Sequence, residues 1–424
     1  MTPLSNGPRL SCGIDFGTSN STVGLASGGS ARLIALEGAA TTLPSAVFWD
    51  ADGAAPLFGR AAVAAYTDGE DGRLMRGLKS TLGSSLINER TRVGNKALSF
   101  KDIVAAYFGH LKARLEAEAG APVTRAVLGR PVHFVDDDAA GDAAAQGVLE
   151  DIARANGFAE IAFQYEPIAA ALDYEQAVAR EELVLIVDIG GGTSDVSVVR
   201  VGPEAALHAD RAGDILGNDG IRLGGTDFDR MLSLAEVMPL LGFGAPTGGG
   251  RGTMPKHYYL DLATWHRINM LYTPRTSADL KALRHEADHP ERLDRLIRVV
   301  NTRAGHALAM AVEGAKIALS DADVARMDLN ALTGGPNPLA RRAAFEAVVA
   351  PAIARLTALF DRVLAQAGTA PARIATVFMT GGSSHLPVVR RAVEATLPGA
   401  RIATGDMFGS VGLGLAIEAA RRFR

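Results

Sequence analysis

The sequence predicts an α/β fold in which one plan is built twice around a central cleft. Residues 13–25 and 186–199 share a pattern: an apolar strand leads into an aspartate, a Gly-Thr-rich turn and a second β-rich segment. Asp15 and Asp188 are the aspartates of the two segments, and a third glycine turn follows at 380–384. Repetition of such a plan in separate halves of a chain indicates internal duplication.

The first half predicts a β-meander followed by alternating helices and strands. The meander covers residues 12–50, where short apolar runs are separated by turn residues. Apolar residues at helical spacing predict a helix over 100–120, which Gly120 ends. The same criteria predict a strand at 125–128, a helix over 142–156, a strand at 161–165 and a helix over 167–179.

The second half restarts the plan with an apolar strand at 183–187. Frequent glycines and two prolines predict a mobile loop over 242–255. A charged helical region follows, and an apolar stripe over 293–315 predicts one continuous helix at its end. A helix over 345–367, a strand at 374–380 and a helix over 411–422 complete the chain.

The length of the chain predicts two domains, because 424 residues exceed what one hydrophobic core usually supports. We expect domain I to comprise residues 1–182 plus 410–424 and to contain the first loop. Domain II is expected at 183–409, with the second loop and the third glycine turn. A helical subdomain is expected within it at about 243–320.

Composition and charge exclude several classes of protein. A net charge of −4 and a pI near 6.2 provide no positive surface for nucleic acid or anionic membranes. Cys12 is the single cysteine, so one chain cannot form a disulfide or a thiolate-held metal cluster. No apolar run approaches the ~20 residues that span a bilayer, and no secretory signal is evident. We expect a cytoplasmic protein without nucleic-acid or membrane partners.

The two hairpin loops have the chemistry of a phosphate clamp. Glycines allow backbone amides to approach phosphate oxygens, and Thr18, Ser19 and Thr193 add hydroxyl donors. Aspartates repel phosphate unless a cation lies between them, and hydrated Mg²⁺ suits two carboxylates plus phosphates. Neither loop is a Walker A or dinucleotide motif, because each turn joins two strands. The alternative is a pair of tight hairpins with no ligand.

Four segments resemble the nucleotide-site motifs of the actin, sugar kinase and Hsp70 ATPase superfamily, and Hsp70 is the most similar member. They are GIDFGTSNS at 13–21, YEPIAAAL at 165–172, LGGTDFD at 223–229 and EGAKIALS at 313–320. The resemblance implies an actin-like (RNase H-like) ATPase fold with two domains around a nucleotide cleft. The phrases GRP at 129–131, FQYEP at 163–167 and MPLLG at 238–242 resemble the YegD-type Hsp70-like proteins. Those proteins lack the usual C-terminal half, so we expect no peptide-binding domain here.

The resemblance also implies roles for individual residues, with ATP or ADP and Mg²⁺ as ligands. Asp15 and Asp188 would hold Mg²⁺ through water, and Lys79 would face the γ-phosphate. Glu166, Asp195 and the Thr193 hydroxyl would lie near the attacking water and the γ-phosphate. The nucleotide-binding residues implied are Gly17, Thr18, Ser19, Asn20, Gly190, Gly191, Gly192, Thr193, Gly224, Gly225, Glu313, Lys316, Ser320, Gly381, Gly382, Ser383 and His385.

Some of these residues also have ordinary structural interpretations. Lys79 could be a surface lysine, and Glu166 could be a carboxylate favoured by a helix N-terminus. Glu313, Lys316 and Ser320 fall at i, i+3 and i+7, which predicts one helix face. His385 replaces an arginine that stacks on adenine in many Hsp70s.

Three functions remain open from the sequence. The first is slow Mg-dependent ATP hydrolysis coupled to cleft opening and closing, in a chaperone-related protein with an unknown protein partner or co-chaperone. The second is a nucleotide-sensing scaffold with little hydrolysis. The third is a small-molecule kinase of the same superfamily, against which the segments at Glu166 and Glu313 argue.

Overall fold

The computed structural model describes residues 10–50, 55–93, 96–135, 138–175, 178–208, 210–403 and 409–423. In chain order, its strands are β1 Ser11–Phe16, β2 Asn20–Ser27, β3 Ser30–Leu33, β4 Thr42–Pro44, β5 Ala46–Asp50, β6 Leu57–Phe58, β7 Gly72–Arg76, β8 Arg90–Val93, β9 Lys96–Ser99, β10 Arg125–Arg130, β11 Glu160–Tyr165, β12 Glu182–Ile189, β13 Ser194–Val201, β14 Ile215–Ile221, β15 Pro246–Thr247, β16 Gly252–Thr253, β17 Val324–Arg326, β18 Leu339–Arg341, β19 Ile374–Thr380 and β20 Arg401–Ala403. Its α-helices are α1 Gly59–Thr67, α2 Phe100–Ala119, α3 Ala139–Ala155, α4 Glu166–Glu175, α5 Gly225–Leu232, α6 Lys256–Leu262, α7 Pro274–Glu286, α8 Pro290–Asn301, α9 Gly305–Ala318, α10 Asn330–Thr333, α11 Arg342–Gln366, α12 Pro387–Thr396 and α13 Ser410–Arg422.

Two mixed sheets repeat one arrangement. The first has the order β11-β10-β1-β2-β3, with β4 also paired to β2, and the second has the order β14-β13-β12-β19-β20. In each sheet an antiparallel hairpin, β1–β2 or β12–β13, lies beside a parallel neighbour, β10 or β19. Asp15 pairs with Thr22 in the first hairpin, and Asp188 pairs with Asp195 in the second. The duplicated plan predicted from the two loops is therefore present in the topology.

Each sheet has its own hydrophobic core. In the first, α2 begins with a Ser99–Asp102 capping box and packs Tyr107 and Phe108 against Phe16 of β1. In the second, the buried faces of β12 and β13 pack with α5, α11 and the helices between them. Burial of these apolar side chains is the main stabilising term for each half.

Two helices, α4 and α13, lie between the sheets. Ile168 and Leu172 of α4 belong to one buried cluster with strands β12 and β13 of the second sheet. On the first-sheet side, Ala169 clusters with Leu415 of α13 and with strand residues. A Cβ on Gly414 would lie 1.9 Å from the Ala169 carbonyl oxygen, so the two helix backbones are in direct contact there. Only glycine permits that separation, and the pair joins the two halves at the base of the cleft.

Two sequence expectations are corrected by the structure, and a third falls partly outside the described residues. The predicted helix over 293–315 is two helices, α8 and α9, because Arg303 adopts a left-handed conformation with φ of 53° between them. The predicted mobile loop at 242–255 contains the short hairpin β15–β16, and Asp288 accepts hydrogen bonds from the amides of Gly249 and Gly250. The predicted helix over 167–179 is described from Glu166 to Glu175, residues 176 and 177 lie outside the described residues, and residues 178–180 are not helical.

One helix in the described part of the chain, α11, is long and apolar enough to span a bilayer by length and composition. This differs from the expectation that no apolar run approaches that length. A single such helix is weak evidence for a membrane span, because core helices pass the same test. Phe345, Leu356 and Phe360 of α11 belong to the core around the second sheet, and 33% of the apolar window is buried.

Candidate functional site

The first loop, residues 17–19, is held in place by a buried serine. Ser45 donates its hydroxyl to the Gly17 carbonyl oxygen at 2.6 Å, and its amide donates to the Ser19 carbonyl oxygen at 2.9 Å. A Cβ on Gly17 would lie 2.1 Å from the Asn20 carbonyl oxygen, so the turn closes tightly at a glycine. The Thr18 methyl group faces the turn at Gly77, which precedes the segment containing Lys79.

The second loop, residues 190–193, packs against the start of α5. The amide of Gly190 donates to the Thr193 carbonyl oxygen at 2.9 Å, which closes the turn. The Gly225 amide donates to the Gly190 carbonyl oxygen at 2.9 Å, and the Thr226 hydroxyl donates to the Gly191 carbonyl oxygen at 2.7 Å. The LGGTDFD segment therefore positions the second loop.

The two loops meet across the cleft. A Cβ on Gly191 would lie 2.2 Å from the Ser19 Oγ, so the hydroxyl of the first loop touches the backbone of the second. Gly192 and Thr193, at the tip of the second hairpin, are exposed. The two glycine loops therefore lie against each other, with the tip of the second hairpin open to solvent.

Five ionisable side chains lie together beside the loops. Lys79 Nζ is 2.5 Å from Glu166 Oε1 in a largely buried ion pair, with side-chain exposures of 12% and 16%. Asp15 and Asp188, at the ends of β1 and β12, interact electrostatically with this pair and with each other. Asp195 completes the group opposite Asp188 on β13. All five were expected at the site from the sequence.

Burial and mutual repulsion perturb these groups. Burial, with the nearby Glu166 charge, raises the pKa of Asp15 to about 8, and the same causes raise the pKa of Asp188. The Asp195 residue presents surface to the cleft, but enclosure of its carboxyl group and the Asp188 charge raise its pKa to about 7. For Lys79, burial acts to lower the pKa, but Glu166 and Asp15 outweigh it and raise the pKa.

These groups fit the implied Mg²⁺. Two buried carboxylates that resist ionisation together would be stabilised as anions by a cation between them. Among the described residues no group of three or more His, Cys, Asp or Glu side chains is placed to hold a metal. Mg²⁺ suits a site with one or two carboxylates, retained waters and substrate phosphates, and Asp15 and Asp188 are the carboxylates that would hold it through water.

A second set of predicted residues converges behind the second loop. A Cβ on Gly225 would lie 2.6 Å from Ser383 Oγ and 3.3 Å from Lys316 Nζ. The φ of Gly381 is +79°, and a Cβ there would lie 2.2 Å from the Ile189 carbonyl oxygen and 2.8 Å from Asp188 Oδ1. The third glycine turn is therefore packed directly against the second carboxylate strand.

Other predicted residues lie at the margins of this set. Glu313 of α9 is half-buried and close enough to Asp229 to act on its charge. Ser320 does not continue the helix face, because α9 ends at Ala318 and Arg342 donates to the carbonyl oxygens of Leu319 and Ser320. Gly382 and His385 begin and end the 3₁₀ turn Gly382–His385.

Two residues of the site were missed from the sequence. Asp229 Oδ1 is 2.9 Å from Lys316 Nζ, which also donates to the Gly225 carbonyl oxygen at 3.2 Å, so the lysine is engaged by protein. Asp229 could have been identified from the sequence, because it is the last residue of the LGGTDFD segment. Ser45 had no sequence signal, because its role depends on β4 and β5 bringing it under the first loop.

Gly224→Ala is expected to destabilise the protein by about 1–3 kcal/mol, the usual cost of forcing an atom into a packed site. A Cβ at this position would lie 2.6 Å from backbone atoms of Gly191 and Gly192, which cannot move without distorting the second loop. Thermal unfolding measures the effect. Gly192→Ala is the matched control, because its Cβ would meet nothing within 4 Å. Equal melting temperatures for the two variants would show that the loops are not packed as described.

Comparison with known proteins agrees with this geometry. The profile of the Hsp70 protein family matches residues 11–236 and 279–420. The chain is 29% identical to a chaperone protein HscA homolog from Aromatoleum aromaticum and 27% identical to chaperone protein HscA from Pectobacterium carotovorum. Each alignment covers 97% of this chain but 58% of the relative, so the chain spans less than two thirds of their length. The fold is the actin-like fold of the Hsp70 ATPase domain, and the chain belongs to the Hsp70 family.

Proposed function

We propose that this chain binds Mg-ATP between its two hairpin loops and hydrolyses it slowly to ADP and phosphate. The observation that carries the proposal is the Lys79–Glu166 ion pair beside Asp15 and Asp188. A purely structural hairpin pair would not concentrate four carboxylates and one lysine at the loops that face each other. Clustered carboxylates with raised pKa values reduce the stability of the fold, and such clusters are typical of functional sites.

Each protein group has a distinct task in this proposal. Backbone amides of the glycine loops and the Thr18 and Thr193 hydroxyls would hold the phosphate chain. Lys79 would neutralise the charge that develops on the transferred phosphoryl group. Glu166 and Asp195 would accept hydrogen bonds from the attacking water and orient it. When bound, Mg²⁺ would neutralise phosphate charge.

A contact between the two halves supports the coupling of nucleotide binding to cleft closure. Tyr66, at the end of α1, donates its hydroxyl to Asn269 Oδ1 at 2.8 Å and lies 3.1 Å from His306 Nδ1. His306 Nε2 is 3.1 Å from the Trp265 carbonyl oxygen, and the Arg76 guanidinium covers the Trp265 ring at 4.7 Å. We call these residues the aromatic contact. It joins the wall that contains Lys79 to the helix that contains Glu313, so it would have to break when the cleft opens.

Acidification is expected to open the aromatic contact and accelerate ADP release severalfold between pH 7.5 and pH 5. Burial, with the Arg76 charge, lowers the pKa of His306 to about 4, so the closed contact holds the neutral ring. The neutral His306 ring stabilises the closed contact fully above the ordinary histidine pKa of 6.5, and this stabilisation is lost as the pH falls towards 4. Stopped-flow release of a fluorescent ADP analogue measures the rate.

His306→Gln is the control for that experiment, because the site carboxylates Asp15 and Asp195 also titrate near this pH range and must be separated from the histidine. In this variant the acceleration at low pH is expected to be smaller than in the parent protein. Identical pH profiles for the two proteins would contradict a closing role for the aromatic contact.

The output of this cycle is proposed to be conformational and chaperone-related. The relatives that match are named chaperone protein HscA or a homolog of it. We further propose a cytoplasmic protein of the YegD type, on the three phrases at 129–131, 163–167 and 238–242. Closure around the γ-phosphate would shift an equilibrium that a protein partner could sense.

Phosphate release measured with and without added hydroxyl compounds tests the proposal against its two alternatives. A slow, Mg-dependent release from ATP alone is expected, unchanged by a panel of sugars and polyols. A phosphorylated sugar or polyol would identify a small-molecule kinase. Tight ATP binding with no phosphate release would identify a nucleotide-sensing scaffold.

A further inference from the structure

We propose that Arg130 is a positioning residue for the Glu166 carboxylate, acting through the ring of Tyr165. The inference rests on the proposed function, in which Glu166 serves ATP hydrolysis. It joins two of the sequence phrases noted above, GRP at 129–131 and FQYEP at 163–167, which are distant in sequence and adjacent in the fold.

Arg130 and Tyr165 are the last residues of two neighbouring strands. β10 and β11 are parallel, and the register places Arg130 directly beside Tyr165. The centre of the Arg130 guanidinium lies 5.1 Å from the centre of the Tyr165 ring and 5.5 Å from that of Phe134. A guanidinium at these distances from two rings makes cation–π contacts with both.

Helix α3 holds the same guanidinium from another direction. Arg130 Nη2 donates to Asp142 Oδ2 at 2.5 Å, and Nη1 donates to Gln146 Oε1 at 2.5 Å. The Asp142 carboxylate also accepts from the Phe134 amide at 2.5 Å, and this bonding lowers the pKa of Asp142 against the effect of burial. Only 12% of the Arg130 side chain is exposed.

Two further bonds fix the guanidinium to the chain that follows β10. Its Nε donates to the Pro131 carbonyl oxygen at 3.1 Å, and Nη2 donates to the Val132 carbonyl oxygen at 3.2 Å. Only a planar guanidinium, which has several N–H donors, can make all of these hydrogen bonds while stacking on the two aromatic rings. Lysine has one point of charge and cannot reproduce the arrangement.

The link from this group to the site is short. Tyr165 directly precedes Glu166, the first residue of α4. A Cβ on Gly129 would lie 3.3 Å from Glu166 Cγ, so the strand that ends in Arg130 also passes along the stem of the glutamate. Loss of the Tyr165 contact would therefore shift Glu166 relative to Lys79, and a displacement of about 1 Å in a site can cost ~100-fold in rate.

The test compares Arg130→Met and Arg130→Lys with the parent protein by single-turnover hydrolysis and calorimetric Mg-ATP affinity. Both variants are expected to lower the rate by about 10- to 100-fold while the dissociation constant changes less than about threefold. Arg125→Met is the matched control, because Arg125 begins the same strand and pairs with Glu160 of β11 at 2.7 Å. The control is expected to retain the parent rate. Parent-like rates in both Arg130 variants would overturn the proposal.

A double variant separates positioning from general stability. In a Glu166→Gln background, Arg130→Met is expected to slow hydrolysis no further, because its effect passes through the carboxylate. Additive losses would show that Arg130 acts independently of Glu166 and would overturn the proposal.

A readout without catalysis distinguishes failure of this inference from failure of the proposed ATPase. Lys79 is shielded by its pair with Glu166, so its acetylation rate, measured by mass spectrometry against exposed Lys101, reports the pair. Arg130→Met is expected to raise the labelling of Lys79 severalfold, and Arg125→Met is expected to leave it unchanged. Equal Lys79 labelling in both variants would overturn the inference. Absence of ATP hydrolysis by the parent protein would instead refute the proposed function and leave labelling to decide.

Discussion

Lys79→Ala is expected to lower the rate of ATP hydrolysis by at least about 100-fold, a typical loss when one preorganised electrostatic group is removed from a site. The lysine lies in the cleft at 2.5 Å from Glu166, and the carboxylates around it raise its pKa, so its charge is fixed there at neutral pH. Nucleotide affinity should fall far less than the rate, because the proposal assigns most phosphate contacts to the neutral backbone amides of the loops. Single-turnover hydrolysis and calorimetry on the same variant give both numbers.

Lys101→Ala is the control for this experiment. Lys101 is an exposed helix lysine that pairs with Asp151 at 3.0 Å, and surface pairs of this kind contribute little. The rate of ATP hydrolysis by Lys101→Ala should equal that of the parent protein. Unchanged turnover in Lys79→Ala would favour the nucleotide-sensing scaffold and would assign Lys79 a structural role.

Asp15→Asn combined with Asp188→Asn is expected to abolish the Mg-dependent part of nucleotide affinity. The two carboxylates lie where burial and the Glu166 charge raise their pKa values, which is the environment a divalent cation relieves. The amides that replace them are nearly isosteric but carry no charge. Isothermal titration with ATP, with Mg²⁺ and with a chelator, measures the loss as the difference between two affinities.

The same substitutions, which are expected to weaken nucleotide binding, are expected to stabilise the protein when no nucleotide is present. A folded-state pKa of about 8 for Asp15 means that its contribution to stability is complete below its ordinary pKa of 3.8 and is lost as the pH rises through 8. The double variant should therefore melt higher than the parent at pH 8. A control pair of exposed aspartates, Asp151→Asn with Asp279→Asn, should change neither quantity. Retained Mg-dependent affinity would refute the clamp.

The loops were predictable because their chemistry is local in sequence. An apolar strand that ends in aspartate and glycine predicts a tight hairpin, and two copies of the pattern predict the duplicated α/β plan. The register of β12 and β13 pairs Asp188 with Asp195, and Asp15 of the first sheet lies close enough to Glu166 and Asp188 to interact with their charges. The functional roles of these residues remain predictions.

The features that sequence analysis missed depend on contacts between distant segments. Nothing local to Ser45 indicates that it supports the first loop. The contact of Asp229 depends on the packing of α5 against α9, which brings its carboxylate to Lys316. The break at Arg303 was hidden because the apolar spacing continues across it, although the backbone adopts a left-handed conformation at that residue. Arg130 and Tyr165 belong to two of the sequence motifs, GRP and FQYEP, but the contact between them depends on the pairing of β10 with β11.

Calorimetric titration with ATP, ADP and GTP, each with and without Mg²⁺, tests the central claim that the two loops clamp a Mg-bound adenine nucleotide. We predict saturable 1:1 binding of ATP and ADP that is strengthened by Mg²⁺, weaker binding of GTP, and slow phosphate release from ATP in the same sample. No saturable heat with ATP or ADP in the presence of Mg²⁺, or affinities that do not depend on the cation, would contradict it.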